Sequence, residues 1–365
     1  MSPARLLTRM LPEPETPLPA WPKVSVRRAL GQSALLYVAA LGPSAVNALD
    51  AAANLLGGDL PDLPVPSLTL NVILVTIAVG VCAIGGRRRP GGAPRWLLMT
   101  FGVLVGLFAV MVALYRQGAL SPALLSVAVS IGLCAVAVGT VALVASLASG
   151  LGVTPTFLGV GRPGRADVNR KLLDRGALPF IAAGATAFIL TILGLAMPIQ
   201  PSDGYLSQGV HVLVVGIAYT SITEEVALAG VSAALAAARL PLWLVLALPA
   251  VLRSLYHAVM GVPGVGATLV LGAGIGFLYL RYRRIWPLVI MHAVNDGLAA
   301  FASMFSRDVW ILAVAVAWGA TLVIQKIRKR AKQRGERRLL SADATAQAAE
   351  TVAAATGFPF PPQGR

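Results

Sequence analysis

Residues 221–257 read SITEEVALAGVSAALAAARLPLWLVLALPAVLRSLYH: two apolar runs meet near Leu240 and Pro241 and are interrupted by Glu224, Glu225, Arg253 and His257. A third apolar run, residues 286–304 (WPLVIMHAVNDGLAAFASM), holds His292 and Asp296. A charge near the centre of a bilayer costs roughly 2.5 kcal/mol or more, so ionisable groups within such runs mark a functional site by default. They come as adjacent glutamates, Arg-x-x-x-His and His-x-x-x-Asp, and an i, i+4 spacing puts both members of a pair on one helix face. Three short polar faces can therefore meet inside one apolar bundle.

Composition sets the class. The chain has 365 residues, of which 57% are hydrophobic and 12% charged, and its mean hydropathy is +0.77. Soluble domains carry about 25% charged residues, so the expected fold is all-α, a polytopic integral membrane bundle. Ten spans are expected, at about 30–50, 67–85, 95–115, 121–149, 177–198, 210–238, 241–260, 264–281, 286–304 and 308–325. Cys82 and Cys134 lie apart in apolar runs, which supports neither a disulfide framework nor a thiolate metal site. The first apolar run begins too late and runs too long for a cleaved signal peptide, so the first helix is expected to stay.

The net charge of +15 is distributed as an orientation signal. Basic clusters precede the first span and follow spans two, four, eight and ten, the last from Lys326 to Arg338, and Arg239 alone follows span six. The opposite loops hold Asp59, Asp62 and Asp203, with Arg116 and Arg307 as basic exceptions. By the positive-inside rule this predicts a multi-pass protein of the cell membrane with both termini cytoplasmic. No aromatic residues interleave the basic clusters, so nucleic acid is not an expected partner. The excess of Arg over Lys, with abundant Ala, Gly and Pro, suggests a GC-rich bacterial source.

Residues 1–28 read as a disordered cytoplasmic lead, 29–150 as an N-terminal four-helix membrane region, 177–325 as a C-terminal membrane region, and 339–365 as a disordered tail. All the intramembrane ionisable residues fall in the C-terminal region. Glu224 lies about seventeen residues before the Leu240–Pro241 turn and His257 about sixteen after it, so in an antiparallel hairpin the two face each other. The same register sets Ala229 opposite Arg253. His292, about eight residues past the Arg281–Arg284 cluster, looks shallower than Glu224, and meeting it requires a tilted or protruding hairpin. The glycines from Gly261 to Gly266 lack a following lysine and read as a tight turn. His211 reads as an interfacial residue.

The three motifs resemble those of the CPBP family: CAAX-processing endopeptidases, bacteriocin-processing proteases and Abi-type membrane proteins. The family pattern is Glu-Glu-x-x-x-Arg, Phe-x-x-x-His and His-x-x-x-Asn or Asp. The resemblance covers about residues 177–304, with Glu224, Glu225, His257, His292 and Asp296 in matching positions. Ala229 stands where the family has Arg, and Arg253 where it has Phe. Since these two positions face each other, the guanidinium is expected to have moved to the neighbouring helix while keeping its place in space.

The resemblance implies an intramembrane endopeptidase acting on membrane-associated proteins or peptides, with a water activated by glutamate and histidine. Glu224 would be the general base, His257 would hold the water, and His292 and Asp296 would stabilise the oxyanion or position substrate. Glu225 would orient a partner, Arg253 being the candidate. The family is often described as metallopeptidases, and Glu225, His257, His292 and Asp296 could in principle bind zinc. No His-Glu-x-x-His motif is present, and those ligands would come from three helices. Two other classes stay open: a non-catalytic family-like protein with an immunity or scaffolding role, and a proton-coupled transporter, which the bland first four spans disfavour. The charge pattern predicts that green fluorescent protein fused after Arg338 fluoresces in cells, while alkaline phosphatase fused there stays inactive.

Overall fold

The computed structural model describes residues 20–55, 66–86, 93–154, 157–159, 166–195 and 210–303, together with 344, 347 and 348. The regular elements among them are helical: α1 (Val26–Ala40), α2 (Gly42–Leu55), α3 (Ser67–Gly86), α4 (Arg95–Arg116), α5 (Pro122–Gly150), α6 (Ala166–Ile192), α7 (Val210–Ala237), α8 (Leu242–Leu255), a 3-10 turn (Ala258–Met260), α9 (Gly261–Tyr282) and α10 (Trp286–Ser303). The chain divides into two compact units, Met1–Gly297 and Leu298–Arg365. In the second, residues 298–303 end α10, and 344, 347 and 348 are helical. The expected span 308–325 lies outside the described residues, as do residues 1–19 of the lead and all of the 339–365 tail but those three.

Among the described residues, four stretches are long and apolar enough to cross a membrane: Arg95–Arg116, Pro122–Ala148, Val210–Ala237 and Ala258–Tyr282. The bent pair α1–α2 makes a fifth if it is one span. Three shorter apolar helices, Ser67–Ala83, Ala177–Ile192 and Leu242–Leu255, accompany them. Over its described residues the protein is thus an all-helical membrane protein.

Three expected spans differ from the helices found. Span 30–50 is broken at Leu41, where α1 and α2 meet at 67°. Pro43 has no N–H to continue the ladder and suits the first turn of a new helix. Span 177–198 is the apolar part of a longer helix starting at Ala166. Span 241–260 ends early, at Leu255, with Tyr256 as its C-cap. The glycine stretch expected to be a tight turn is instead the first turn and a half of α9, entered through Gly261 at φ 67°.

α7 is apolar around its whole circumference, a pattern that requires burial on every side. Every residue from Thr223 to Leu235 is buried, and α1, α5 and α8 pack around the helix. A Cβ at Gly230 would lie 2.8 Å from Leu36 of α1 and 3.1 Å from Val144 of α5, so the small residue permits this approach. The N-terminal and C-terminal membrane regions therefore share one core. By contrast, Met99, Val103, Leu107 and Val110 of α4 are exposed and apolar, as suits a face turned to lipid.

The α9–α10 turn is recessed within the bundle. Ile285 is 1% exposed, and the Arg283 guanidinium lies 4.1 Å from the Trp21 ring and 4.4 Å from the Phe157 ring. Arg283, read in the sequence as part of a basic cluster that marks orientation, thus lies against both rings, themselves edge-to-face at 5.3 Å, in cation–π contact. Nearby, Val24 N–H donates to the carbonyl of Ala237 at the end of α7.

α9 meets α8 closely at Gly272, where a Cβ would lie 2.8 Å from Ala250 Cα. Backbone cannot yield as a side-chain tip can, so Gly272→Ala is expected to destabilise by about 1–3 kcal/mol. Gly102→Ala on α4, with nothing within 4 Å, is expected to be neutral or stabilising by up to about 1 kcal/mol. Thermal unfolding of both variants in detergent checks the pair.

Candidate active site

Glu224 and Glu225 lie mid-way along α7, Arg253 in the last turn of α8, and His292 in the second turn of α10. All four are buried, at 5% exposure or less. Arg253 Nη2 lies 3.1 Å from Glu224 Oε2, 2.5 Å from Glu225 Oε1 and 3.1 Å from His292 Nδ1. His292 Nδ1 also lies 2.8 Å from Glu225 Oε1, while its Nε2 is 3.3 Å from Asp296 Oδ2 and 3.8 Å from Glu224 Oε2. Two hydrogens on Nη2 cannot serve three acceptors. With Nη2 donating to the two glutamates, His292 Nδ1 can donate to Glu225 Oε1 at 2.8 Å, and its approach to Nη2 is then a contact between two donors and not a hydrogen bond.

Isolated charges in an apolar interior are costly, and they persist when paired and hydrogen-bonded. Here one guanidinium joins both glutamates, and one imidazole joins Glu225 to Asp296. Ala229 and Arg253 line the same small cavity, about 10 Å³, with Glu225, Ser232, Gly272 and Tyr279. That is room for one water centre. Arg253 Nε and Nη1 are buried with no partner among the described residues.

His292 reaches the level of the glutamates although the sequence places it shallower. The reason is the recessed α9–α10 turn: nine residues past Arg283, His292 starts from a point already inside the bundle. Asp296, one turn further on, is partly exposed, with its side chain at 26%. Neighbouring Asn295 is exposed and donates to Asp296 Oδ1 at 3.4 Å.

His257 departs from expectation. Because α8 stops at Leu255, Arg253 and His257 do not share a helical face. His257 instead helps to close the helix end, where the last carbonyls lack partners within the helix. Its backbone N–H donates to Ser254 O, and its Nδ1 lies 3.1 Å from Arg253 O. A carbonyl only accepts, so Nδ1 carries the hydrogen, and Nε2 is left to face other groups. No direct bond joins His257 to Glu224 among the described residues.

That place is taken by Tyr256, which the sequence reading missed. Its hydroxyl donates to Glu224 Oε2 at 2.9 Å, and its ring lies 4.6 Å from that of His257. Only its adjacency to His257 could have flagged it. The reading also assigned no role to the first helices, yet Tyr37 of α1 donates to the free carbonyl of Leu252 at 2.9 Å. It thereby anchors the turn that carries Arg253. His211, expected at an interface, is exposed and lies 3.1 Å from Ser126 Oγ, apart from the cluster.

The zinc ligand set considered from the sequence does not fit this arrangement. A guanidinium fills the space between Glu224, Glu225 and His292, and a second cation there would be repelled at contact distance. His257 spends Nδ1 on a backbone carbonyl, and no group of three His, Cys, Asp or Glu among the described residues could hold a metal ion. No curated protein and no solved structure matches the chain. Residues 206–298, which hold every member of the cluster, match the family model described as type II CAAX prenyl endopeptidase Rce1-like, so over this segment the chain resembles the CPBP family.

Proposed function

We propose that the chain is an intramembrane endopeptidase that cleaves membrane-associated proteins or peptides by an activated water. The observation that carries this reading is the buried cluster of Glu224, Glu225, Arg253 and His292 inside the segment matching a peptidase family. Hydrolysing a peptide bond needs a base for water, a donor for the carbonyl oxygen and a proton for the leaving amine. Glu224 takes a proton from water while the water oxygen adds to the scissile carbonyl carbon. His257 Nε2 and His292 are the nearby imidazole groups for holding that water and for facing the developing oxyanion, with Asp296 orienting His292. Collapse of the tetrahedral intermediate breaks the C–N bond, and Glu224 returns its proton to the leaving nitrogen. Arg253 offsets the glutamate charge throughout. About ten spans with both termini cytoplasmic complete the reading, and the substrate class is a membrane protein or peptide without a prenyl group being required.

A non-catalytic role is favoured by one observation, the direct pairing of Arg253 with both glutamates, which is also how a purely structural buried ion pair is built. The two readings part on Glu224→Gln. For an enzyme, cleavage of a membrane-reconstituted peptide library, followed by mass spectrometry, is expected to fall by about 10²–10⁴-fold with thermal stability retained. Cleavage by neither protein, with a destabilised variant, supports the structural role.

The displaced arginine gives a second test. Arg253→Phe alone leaves two buried carboxylates without their cation and is expected to cost about 3–5 kcal/mol. The double variant Ala229→Arg/Arg253→Phe restores the family pattern and is expected to recover most of that loss in a thermal unfolding assay.

A further inference from the structure

The two oxygens of Glu224 are treated differently by their surroundings. Oε2 receives Arg253 Nη2 at 3.1 Å and Tyr256 Oη at 2.9 Å, with His292 Nε2 at 3.8 Å. Oε1 has no hydrogen bond among the described residues. Two donors on one oxygen fix the plane of a carboxylate and leave the other oxygen as its free acceptor. Of these donors, Arg253 is shared with Glu225, so it cannot set the orientation of Glu224 alone. Tyr256 makes the bond that belongs to Glu224 only.

Tyr256 is well placed to hold that orientation. It caps α8, where the backbone is constrained, and its ring is wedged between His257 and a small cluster of Ala40, Leu41, Ala227 and Leu228. Leu41 is the residue at which α1 breaks, so the bend between α1 and α2 supplies one wall for this ring. An ordinary core tyrosine needs some partner for its hydroxyl. Here that partner is a buried glutamate one helix away, which ties the helix of the glutamate motif to the residue preceding the motif histidine.

We infer that Tyr256 is a positioning residue that occupies Oε2 of Glu224 and thereby presents Oε1 to the attacking water. In the reaction one water O–H bond breaks, the proton goes to Oε1, and the electron pair of the water oxygen forms the new bond to the carbonyl carbon. The same ring lies against that of His257, 4.6 Å away and tilted by 46°, so base and imidazole are held in one register. This inference rests on the peptidase reading above, and its test separates the two.

Tyr256→Phe keeps the ring and removes the hydroxyl. In the full chain purified in detergent, kcat on the cleaved peptide is expected to fall about tenfold, with KM changed by less than about twofold. The infrared carboxylate band assigned to Glu224 by its loss in Glu224→Gln is expected to shift in Tyr256→Phe. An unshifted band overturns the inference, whether kcat is unchanged or activity is lost together with thermal stability. If the wild-type chain cleaves no peptide, the peptidase reading fails and the band alone decides: a shift upholds Tyr256 as the residue that orients Glu224, and no shift removes it.

Discussion

Everything around the site depends on one guanidinium held out of water between two carboxylates. Burying such charges costs several kcal/mol each before pairing, and the attraction offsets this only with close geometry and further hydrogen bonds. Arg253 meets that demand through one nitrogen that contacts Glu224, Glu225 and His292. The surrounding helices must then be close enough to exclude water and lipid from the cluster. Small residues permit this: Gly230 lets α1 and α5 approach α7, and Gly272 lets α9 approach α8 one turn before Arg253. The packing and the electrostatics are therefore one problem, since opening either interface would admit solvent to the ion pair.

The N-terminal helices take part in this arrangement. Tyr37 bonds the carbonyl of Leu252, and the break at Leu41 packs against the α7 segment and Tyr256. At the other end of the hairpin, Trp21 and Phe157 cover Arg283 and accompany the recessed turn that brings His292 to the level of Glu225. These contacts join segments far apart in sequence, 215 residues in the case of Tyr37 and Leu252. Residues outside the family-matching segment thus shape the site within it.

The reactive groups differ in how free they are. Glu225 and Arg253 are committed to each other, which suits charge balance and not turnover. Glu224 keeps one oxygen without a partner among the described residues, and His257 keeps Nε2. Asp296, more exposed than the rest, sits where the cluster opens. A division between fixed and available groups is what a hydrolytic site requires, because a base takes its proton at an oxygen not already held by other donors.

The sequence by itself determined the membrane class and the three polar motifs. Each of these follows from local signals: apolar run length and i, i+4 spacing. The tertiary structure decided which atoms meet. Helical periodicity predicted a shared face for Arg253 and His257, but the helix ends at Leu255, so His257 turns to its own backbone and Tyr256 takes Glu224. Periodicity also left His292 too shallow, and the buried turn beneath Trp21 and Phe157 removed the mismatch. Where a helix stops and how deep its turn lies are set by contacts with distant segments, and no spacing rule within a single helix contains that information.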